Sequence, residues 1–239
     1  MSNKKASKWN FLSSIFGSAE ALAAEEETED VKWAMVIDLE KCIGCDTCTV
    51  SCKAENRTPP GISYNNVLTK EVGSYPFVSK EHCPTPCMQC DDAPCEDVCP
   101  VGATYQLDNG IVAINYERCI GCRYCMAACP YGVRYFDFGE SYNQEMVAYD
   151  KFQGHEYGQP APIRKGKQSP IGTVRKCHFC YHRLERGQEP ACVETCIGDA
   201  RYFGDLNNKG SLVSRLVASG RAQRLREELG TEARVYYLK

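Results

Sequence analysis

The cysteines of this chain constrain its fold more than any other feature. There are 17 of them in 239 residues, and all but Cys83 fall into four compact groups. In chain order the groups are Cys42, Cys45, Cys48 and Cys52; Cys87, Cys90, Cys95 and Cys99; Cys119, Cys122, Cys125 and Cys129; and Cys177, Cys180, Cys192 and Cys196. Thiolates two or three residues apart favour metal binding over disulfides, which need particular Cα separations.

Groups two and three have the spacing of a bacterial two-cluster ferredoxin. In that pattern three closely spaced cysteines hold one [4Fe–4S] cube, and a fourth, followed by proline, ligates the neighbouring cube. Pro100 and Pro130 follow the last cysteines of the two groups. Between the groups, apolar-rich runs at 103–107 and 111–115 flank an Asp-Asn-Gly turn at 108–110, which predicts a β-hairpin. The two groups are therefore predicted to form one ferredoxin-like module.

An internal repeat predicts a second module of the same kind. Residues 37–45 match residues 114–122, and residues 94–103 resemble residues 191–200. Groups one and four are left to pair with each other, because sequential pairing would strand the hairpin between modules. The predicted fold class is α+β, with two bacterial ferredoxin-like 2[4Fe–4S] modules. They are nested, groups one and four around groups two and three, and the chain is loop-rich with short hairpins.

The crossover rule then predicts four [4Fe–4S] clusters and their ligands. Cluster 1 is assigned Cys42, Cys45, Cys48 and Cys196; cluster 2, Cys52, Cys177, Cys180 and Cys192; cluster 3, Cys87, Cys90, Cys95 and Cys129; and cluster 4, Cys99, Cys119, Cys122 and Cys125. Lys53 and Ile197 stand where the inner module has proline, so the sequence fixes the outer module less tightly. Cys83 is predicted to be a bystander thiol, with a spare ligand as the alternative.

Every cube is predicted to be fully ligated by protein, which leaves no open iron for a substrate. The sequence also lacks a phosphate-binding glycine loop and a dinucleotide fingerprint. The chain is therefore predicted to be a non-catalytic subunit. His178 and His182 are predicted to pack locally rather than to bind zinc. Cations close to ligands in the sequence are candidates for tuning cluster potentials, with ordinary surface charge as the alternative; they are Lys53, Arg123, Arg134, Arg175 and Lys176.

The sequence predicts the following division of the chain. Residues 1–30 form an N-terminal tail; 31–82 and 173–210 form the outer module, with an insertion at 54–82; 83–137 form the inner module; 138–172 form a long loop; and 211–239 form a C-terminal partner-docking arm. The tail resembles a secretory signal in its order of basic, apolar and small residues, but its apolar part is short and interrupted, which favours an amphipathic or disordered tail. Pro59 and Pro60 mark a turn in the insertion.

Local patterns predict a few elements outside the cysteine groups. A strand is expected at 33–38 and a terminal strand at 235–238. Apolar spacing predicts a helix from Leu212 that breaks at Gly220, and a second helical segment at 225–229 that stops at Gly230. Four arginines line this tail and suit either a solvated face or a docking arm; they are Arg215, Arg221, Arg224 and Arg226.

Composition limits the classes of partner. The net charge of −3 gives no electrostatic case for nucleic acid. No apolar run approaches the roughly 20 residues of a membrane-spanning helix, so membrane contact is expected through a partner. Two alternatives to a fixed electron-transfer subunit stay open at this point. They are a freely diffusing polyferredoxin and a structural protein with all-thiolate zinc sites.

From about residue 31 to residue 239, the chain resembles the four-cluster iron–sulfur subunits of the DMSO reductase superfamily. Polysulfide, thiosulfate, tetrathionate and arsenate respiratory reductases contain such subunits. The resemblance rests on the four ordered cysteine groups and on the motifs CMQCDDAPC at 87–95, CPYGVR at 129–134, GDLN at 204–207 and LGTEARVYY at 229–237.

This resemblance implies partners and a location. The catalytic partner carries a molybdenum or tungsten bis-pterin cofactor, or is a relative that has lost it, and an integral membrane quinone-reactive subunit often completes the complex. The nested pairing agrees with the family's arrangement, in which groups one and four face the catalytic subunit. The expected location is the periplasmic side of the cytoplasmic membrane, after export with the partner, with a cytoplasmic-facing complex as the alternative. The substrate and the direction of electron flow lie with the partners.

Overall fold

The computed structural model describes residues 31–58, 61–138, 155–156, 159–160 and 171–239. The predictions for the tail at 1–30, for the turn at Pro59 and Pro60, and for most of the loop at 138–172 lie outside these residues. Strands and short helices alternate with loops along the described chain. The mixed and loop-rich character predicted from the sequence is confirmed.

The elements are numbered here in chain order. The strands are β1 Trp33–Asp38, β2 Asn66–Ser74, β3 Phe77–Thr85, β4 Thr104–Gln106, β5 Val112–Ile114, β6 Arg134–Phe136, β7 His155–Glu156, β8 Gln159–Pro160, β9 Val174–Lys176, β10 Arg201–Asp205, β11 Ala222–Arg224 and β12 Val235–Leu238. The helices are α1 Thr47–Asn56, α2 Pro94–Asp97, α3 Tyr124–Ala128, α4 Tyr181–Leu184, α5 Ala191–Glu194 and α6 Leu212–Ala218, and a single 3₁₀ turn covers Glu227–Leu229. Within the described part of the chain, no helix is long and apolar enough to cross a membrane.

A four-stranded sheet joins the two ends of the described chain, in the order β10-β1-β12-β11. β1 pairs antiparallel with β10 and parallel with β12. Its apolar run is buried on both faces, as expected for an interior strand. Because side chains alternate along a strand, Ala34 and Val36 pack beneath α6, whereas Met35 and Ile37 face the cysteine-rich core.

The segment at 211–239 contributes two strands to this sheet. The predicted terminal strand is present as β12, and the predicted helix is present as α6. The second helical segment was wrong in kind: residues 225–229 hold only the 3₁₀ turn, because β11 pairs with β12 and Arg226 then turns the chain at φ 51°. A partner-docking role for this segment stays a prediction.

Two hairpins and two other antiparallel strand pairs complete the described framework, and one of these pairs joins β7 with β8. β4 and β5 form the hairpin predicted from the Asn-Gly turn, with Gly110 at φ 76°. β2 and β3 form a longer hairpin within and just beyond the predicted insertion. β6 and β9 pair with each other, so the two ends of the predicted long loop lie side by side.

The internal repeat extends to backbone conformation. Gly44 and Gly121 both lie in the left-handed region, at φ 68° and 71°. Asp38 accepts hydrogen bonds from the two backbone N–H groups that precede Cys42, at 3.0 and 3.2 Å. Asn115 does the same before the third cysteine group, at 3.0 and 3.1 Å. The matching sequences therefore fold alike around their cysteines.

Candidate iron–sulfur sites

Three cavities of similar size are each lined by four cysteines. Site 1 has a volume of about 360 Å³, site 3 about 340 Å³ and site 4 about 320 Å³. Site 1 contains Cys42, Cys45, Cys48 and Cys196; site 3 contains Cys87, Cys90, Cys95 and Cys129; and site 4 contains Cys99, Cys119, Cys122 and Cys125. Three like cavities with the same donor set fit the same kind of group.

Site 2 comprises the remaining predicted set, Cys52, Cys177, Cys180 and Cys192. All four side chains are buried. Burial raises the pKa of Cys52 well above its ordinary value, and the other three thiols raise it further because they lie close to it. The structure thus brings together the sixteen cysteines in the same four sets that the sequence predicted. That each set ligates one cluster stays a prediction.

Burial makes eight of the sixteen thiols reluctant to lose their protons; they are Cys42, Cys52, Cys90, Cys95, Cys125, Cys177, Cys180 and Cys192. It raises the pKa of Cys177 to about 12 and that of Cys90 to about 12, with neighbouring thiols adding to the effect. Cys45 differs, because the side chain and backbone of Thr47 donate to its sulfur and lower its pKa. A bound iron ion can replace the proton of a buried thiol, so these sites suit a cationic metal core that holds all four sulfurs as thiolates.

N–H groups point at several of the sulfurs. The backbone N–H of Ala103 donates to Cys99 Sγ at 3.1 Å, and that of Ala200 donates to Cys196 Sγ at 3.3 Å. These two contacts occupy equivalent positions in the repeat. Such bonds stabilise negative charge on ligand sulfur and are one of the means by which proteins tune cluster potentials.

Two asparagine side chains make the same kind of contact, and sequence reasoning missed both. Asn65 Nδ2 donates to Cys48 Sγ at 3.1 Å, and Asn56 Nδ2 donates to Cys52 Sγ at 3.4 Å. Asn56 ends α1 and Asn65 lies just before β2, so the predicted insertion supplies contacts to sites 1 and 2. Neither asparagine lies in a cysteine motif, and no local pattern marks them.

The predicted tuning cations divide into two classes. Arg134, Arg175 and Lys176 are buried, whereas Arg123 is exposed and lies over the ring of Phe136, 5.3 Å from its centroid. Lys53 is half-buried and donates to the carbonyl of Ile62 at 2.6 Å, within the insertion. Arg175 pairs with the buried carboxylate of Asp137 at 3.0 Å, so Arg134 and Lys176 are the stronger candidates.

Two further buried arginines were not predicted. Arg201 Nη1 donates to Cys192 Sγ at 3.5 Å, and its Nη2 donates to Asn65 Oδ1 at 2.6 Å. Arg234 is buried beside site 3, with its Nε 3.0 Å from Asp91 Oδ1. The repeat gave no signal for the first of them, because the residue that matches Arg201 in the other module is the neutral Thr104.

The histidines and the unpaired cysteine stand apart from the four sets. His182 Nε2 lies 2.6 Å from Glu55 Oε1, and His178 Nδ1 accepts from the Tyr181 N–H at 3.1 Å. Both rings are buried, which agrees with local packing. Cys83 is half-buried in β3, and burial raises the pKa of its thiol. Its predicted role as a bystander stays a prediction.

Family models match most of the cysteine-bearing chain. A model described as a 4Fe-4S dicluster domain matches residues 78–154 and 147–206, and one described as a 4Fe-4S binding domain matches residues 33–54. The chain is 53% identical over 219 residues to a selenate reductase subunit of Mesobacillus selenatarsenatis, covering 90% of this chain and 75% of that protein.

Two other relatives are also similar to this chain over most of its length. The arsenate respiratory reductase iron–sulfur subunit of a Shewanella species is 37% identical, with 87% of this chain and 97% of that protein covered. A tetrathionate reductase subunit of Salmonella typhimurium is 39% identical, with coverages of 87% and 72%. The chain belongs to the family of iron–sulfur subunits of the DMSO reductase superfamily.

The family and the sites together establish what this iron–sulfur subunit carries. It holds four [4Fe–4S] clusters, as predicted from its cysteines. It is an electron-transfer subunit of a respiratory oxidoreductase rather than the catalytic one. The three similar cavities, the buried thiols of site 2 and the uniform donor set fit that cofactor.

Proposed function

We propose that this subunit passes single electrons along a row of four clusters, between a catalytic subunit and a quinone-reactive membrane subunit. The ligands of each cluster would be the four cysteines of one site. A [4Fe–4S] cluster supplies one-electron redox chemistry at a potential that its surroundings set. The protein's own contribution is to hold the sites next to one another, to bury site 2, and to present sites 1 and 4 to partners.

Contacts between the sites support the order 1, 2, 3, 4. Arg201 lines site 1 and donates to a sulfur of site 2. Cys87 of site 3 is close enough to Cys177 of site 2 to raise its pKa, after burial and Cys192. Arg134 lines both site 3 and site 4. Each site therefore adjoins the next, which is the arrangement that stepwise electron transfer requires.

The exposure of the two end sites is the observation that carries the proposal. Cys45 of site 1 and Cys122 of site 4 are exposed, whereas all four cysteines of site 2 are buried. Large exposed apolar side chains lie on the same segments; they are Ile43, Val50 and Ile197 at site 1, and Ile120, Tyr124 and Phe138 at site 4. Exposed apolar patches of this kind mark protein interfaces. Two such ends suit two fixed partners better than a freely diffusing carrier.

The identity of the partners rests on the family. The resemblance implies a catalytic subunit with a molybdenum or tungsten bis-pterin cofactor, or a relative without it, and we place it at site 1 by analogy. The quinone-reactive membrane subunit would then meet site 4. The relatives are named for selenate, arsenate and tetrathionate reductases, yet they share this type of subunit. The substrate is therefore set by the catalytic partner. The location proposed is the periplasmic side of the cytoplasmic membrane.

Purification without oxygen at native salt tests the partnership. A stoichiometric complex with a large subunit that contains pterin and molybdenum or tungsten is the expected result. A monomer that exchanges electrons with several unrelated enzymes would contradict the proposal and support a polyferredoxin. Protease protection in intact cells and in cells stripped of their outer membrane would test the periplasmic location.

Ligand variants test the nested pairing of the cysteine groups. Cys196→Ser is expected to disturb the same EPR signal as Cys42→Ser, although 154 positions separate them in the sequence. Cys180→Ser serves as the matched control, since it lies in the same cysteine group as Cys196 but in site 2. If Cys196→Ser and Cys180→Ser disturb one and the same signal, the pairing is wrong.

A further inference from the structure

A buried cation stands at each junction between neighbouring sites. Arg134 lies where sites 3 and 4 meet, Lys176 where sites 2 and 3 meet, and Arg201 where sites 1 and 2 meet. All three side chains are buried. Burying a cation is costly unless negative charge lies nearby. Their positions therefore need an explanation that ordinary surface charge does not give.

Arg201 connects sites 1 and 2 through its two terminal nitrogens. Nη1 donates to Cys192 Sγ at 3.5 Å, in site 2. Nη2 donates to Asn65 Oδ1 at 2.6 Å, and Asn65 Nδ2 in turn donates to Cys48 Sγ at 3.1 Å, in site 1. A single guanidinium thus faces sulfur of both sites.

Lys176 connects sites 2 and 3 through Gln89. Lys176 Nζ donates to the carbonyl of Cys177 at 2.7 Å and to Gln89 Oε1 at 3.4 Å. Gln89 lies between two ligands of site 3, and its Nε2 donates to the same carbonyl of Cys177 at 2.7 Å. Lys176 is also one of two cations that lie close to Cys95 in site 3.

Arg134 is the second of those cations and connects sites 3 and 4. It lines both cavities, and its Nη2 donates to Thr104 Oγ1 at 2.8 Å. Arg134 also lies close to Cys125 in site 4, as it does to Cys95 in site 3. Each end of the row thus has its own shared cation, with Lys176 in the middle.

We propose that Arg134, Lys176 and Arg201 are junction cations, each of which sets the reduction potentials of the two clusters beside it as a pair. The proposal rests on the assignment of one cluster to each site. Reduction adds negative charge to a cluster, and a nearby fixed cation favours the reduced form. Because one charge serves two clusters, its loss lowers both potentials together and leaves the more distant pair unchanged.

EPR-monitored redox titration of the full chain in its native complex tests the proposal. The signals of sites 1 and 4 are first assigned with Cys196→Ser and Cys99→Ser. Arg201→Gln is then expected to make reduction of the clusters at sites 1 and 2 about tenfold less favourable, or about 59 mV for one electron, and to leave site 4 in place. Arg134→Gln is expected to lower the potentials at sites 3 and 4 and to leave site 1 unchanged. Lys176→Gln is expected to lower the potentials at sites 2 and 3.

Matched variants separate charge from structure. Arg201→Lys and Arg134→Lys keep the charge and are expected to recover most of the shift. Arg215→Gln makes the same chemical change on the exposed face of α6 and is expected to shift nothing. If a Gln variant loses its iron, the corresponding Lys variant still tests the proposal. Any change that it causes in reduction potential must be confined to the two sites beside the substituted residue.

Three results would overturn the proposal: a shift shared by all four clusters, a shift of one cluster without its neighbour, or a Lys variant that shifts as far as the Gln variant. A fault in the ligand assignment shows itself earlier. In that case Cys196→Ser and Cys99→Ser remove the wrong signals, which overturns both proposals. If the ligand assignment is right and only the role of the cations is wrong, Cys196→Ser and Cys99→Ser still remove the signals of sites 1 and 4.

Discussion

Arg234 holds three parts of the molecule together, and its replacement by methionine should destabilise the fold strongly. Its Nε donates to the carbonyl of Gln89 at 2.9 Å, and its Nη1 donates to the carbonyls of Trp33 and Asn109 at 3.0 and 3.2 Å. These carbonyls belong to site 3, to β1 and to the turn of the β4–β5 hairpin. The same Nε lies 3.0 Å from Asp91 Oδ1.

The magnitude follows from the burial of these groups. The Arg234 side chain is 1% exposed, so methionine fills much of its volume but removes the guanidinium hydrogen bond to each of the three carbonyls. At roughly 1 kcal/mol for each lost hydrogen bond, the cost is about 3 kcal/mol. For a chain of this size, 1 kcal/mol shifts the unfolding temperature by about 2–4 °C, so a fall of about 6–12 °C is expected.

Lys32 provides a matched control on the same carboxylate. Its Nζ lies 2.5 Å from Asp91 Oδ2, but its side chain is 40% exposed. An exposed ion pair contributes less than about 1 kcal/mol, so Lys32→Met should lower the unfolding temperature by a few degrees at most.

Thermal melts without oxygen, monitored by cluster absorbance near 400 nm, compare the two variants. Both are heated at the same rate, because the midpoint of an irreversible transition depends on the heating rate. Iron content is measured first, to show that both variants start fully loaded. Equal shifts for Arg234→Met and Lys32→Met would refute the argument from burial.

Other variants test the sites themselves. Gly121 lies at φ 71°, and a Cβ added to it would clash with the carbonyl oxygen of Gly172, so Gly121→Ala should displace the site 4 loop and lower the iron content. Gly132 lies at φ 64° with open space around it, so Gly132→Ala should reduce the free energy of unfolding by only about 1 kcal/mol. Asn65→Leu removes the amide that donates to a site 1 sulfur at 3.1 Å, so it should lower that cluster's potential by a few tens of mV in an EPR titration, and Asn66→Leu, whose amide donates to a tyrosine hydroxyl, should not. Elemental analysis should give about sixteen iron and sixteen acid-labile sulfide per chain, and far fewer would contradict four cubes. Removal of iron and sulfide should abolish the cooperative unfolding transition. An unchanged transition would show that the chain folds without its clusters.

The parts of the fold that the sequence predicted are those with short-range patterns. Cysteine spacing, the Asn-Gly turn and the continuous apolar run of β1 each act over a few residues, so they can be read without knowing the rest of the molecule. The four cysteine sets needed one further step, the internal repeat, which relates distant segments through their similarity. That step left groups one and four to form the second module, and the crossover rule then assigned Cys196 to the set of Cys42. This ligand pairing stays a prediction.

The parts that it missed depend on contacts between distant segments. Val235 pairs with Met35 in a parallel register, and no pattern near either residue specifies that partner. The β2–β3 hairpin has side chains exposed on both faces, so it lacks the apolar alternation that marks a half-buried strand. The segment after α6 has helical apolar spacing, yet pairing of β11 with β12 overrides it.

The sequence named Arg134 and Lys176 as candidate tuning cations but gave neither their burial nor Arg201, and these buried cations connect folding to function. Lys176 donates to two oxygen atoms that carry no charge, and Arg201 donates to an amide oxygen and to sulfur. A buried cation with neutral partners alone would cost several kcal/mol. A cube held by four thiolates carries net negative charge, which offsets that cost at each junction. The same charges that favour electron uptake would therefore favour the folded, cluster-loaded chain, so assembly of the clusters and closure of the fold around them depend on each other.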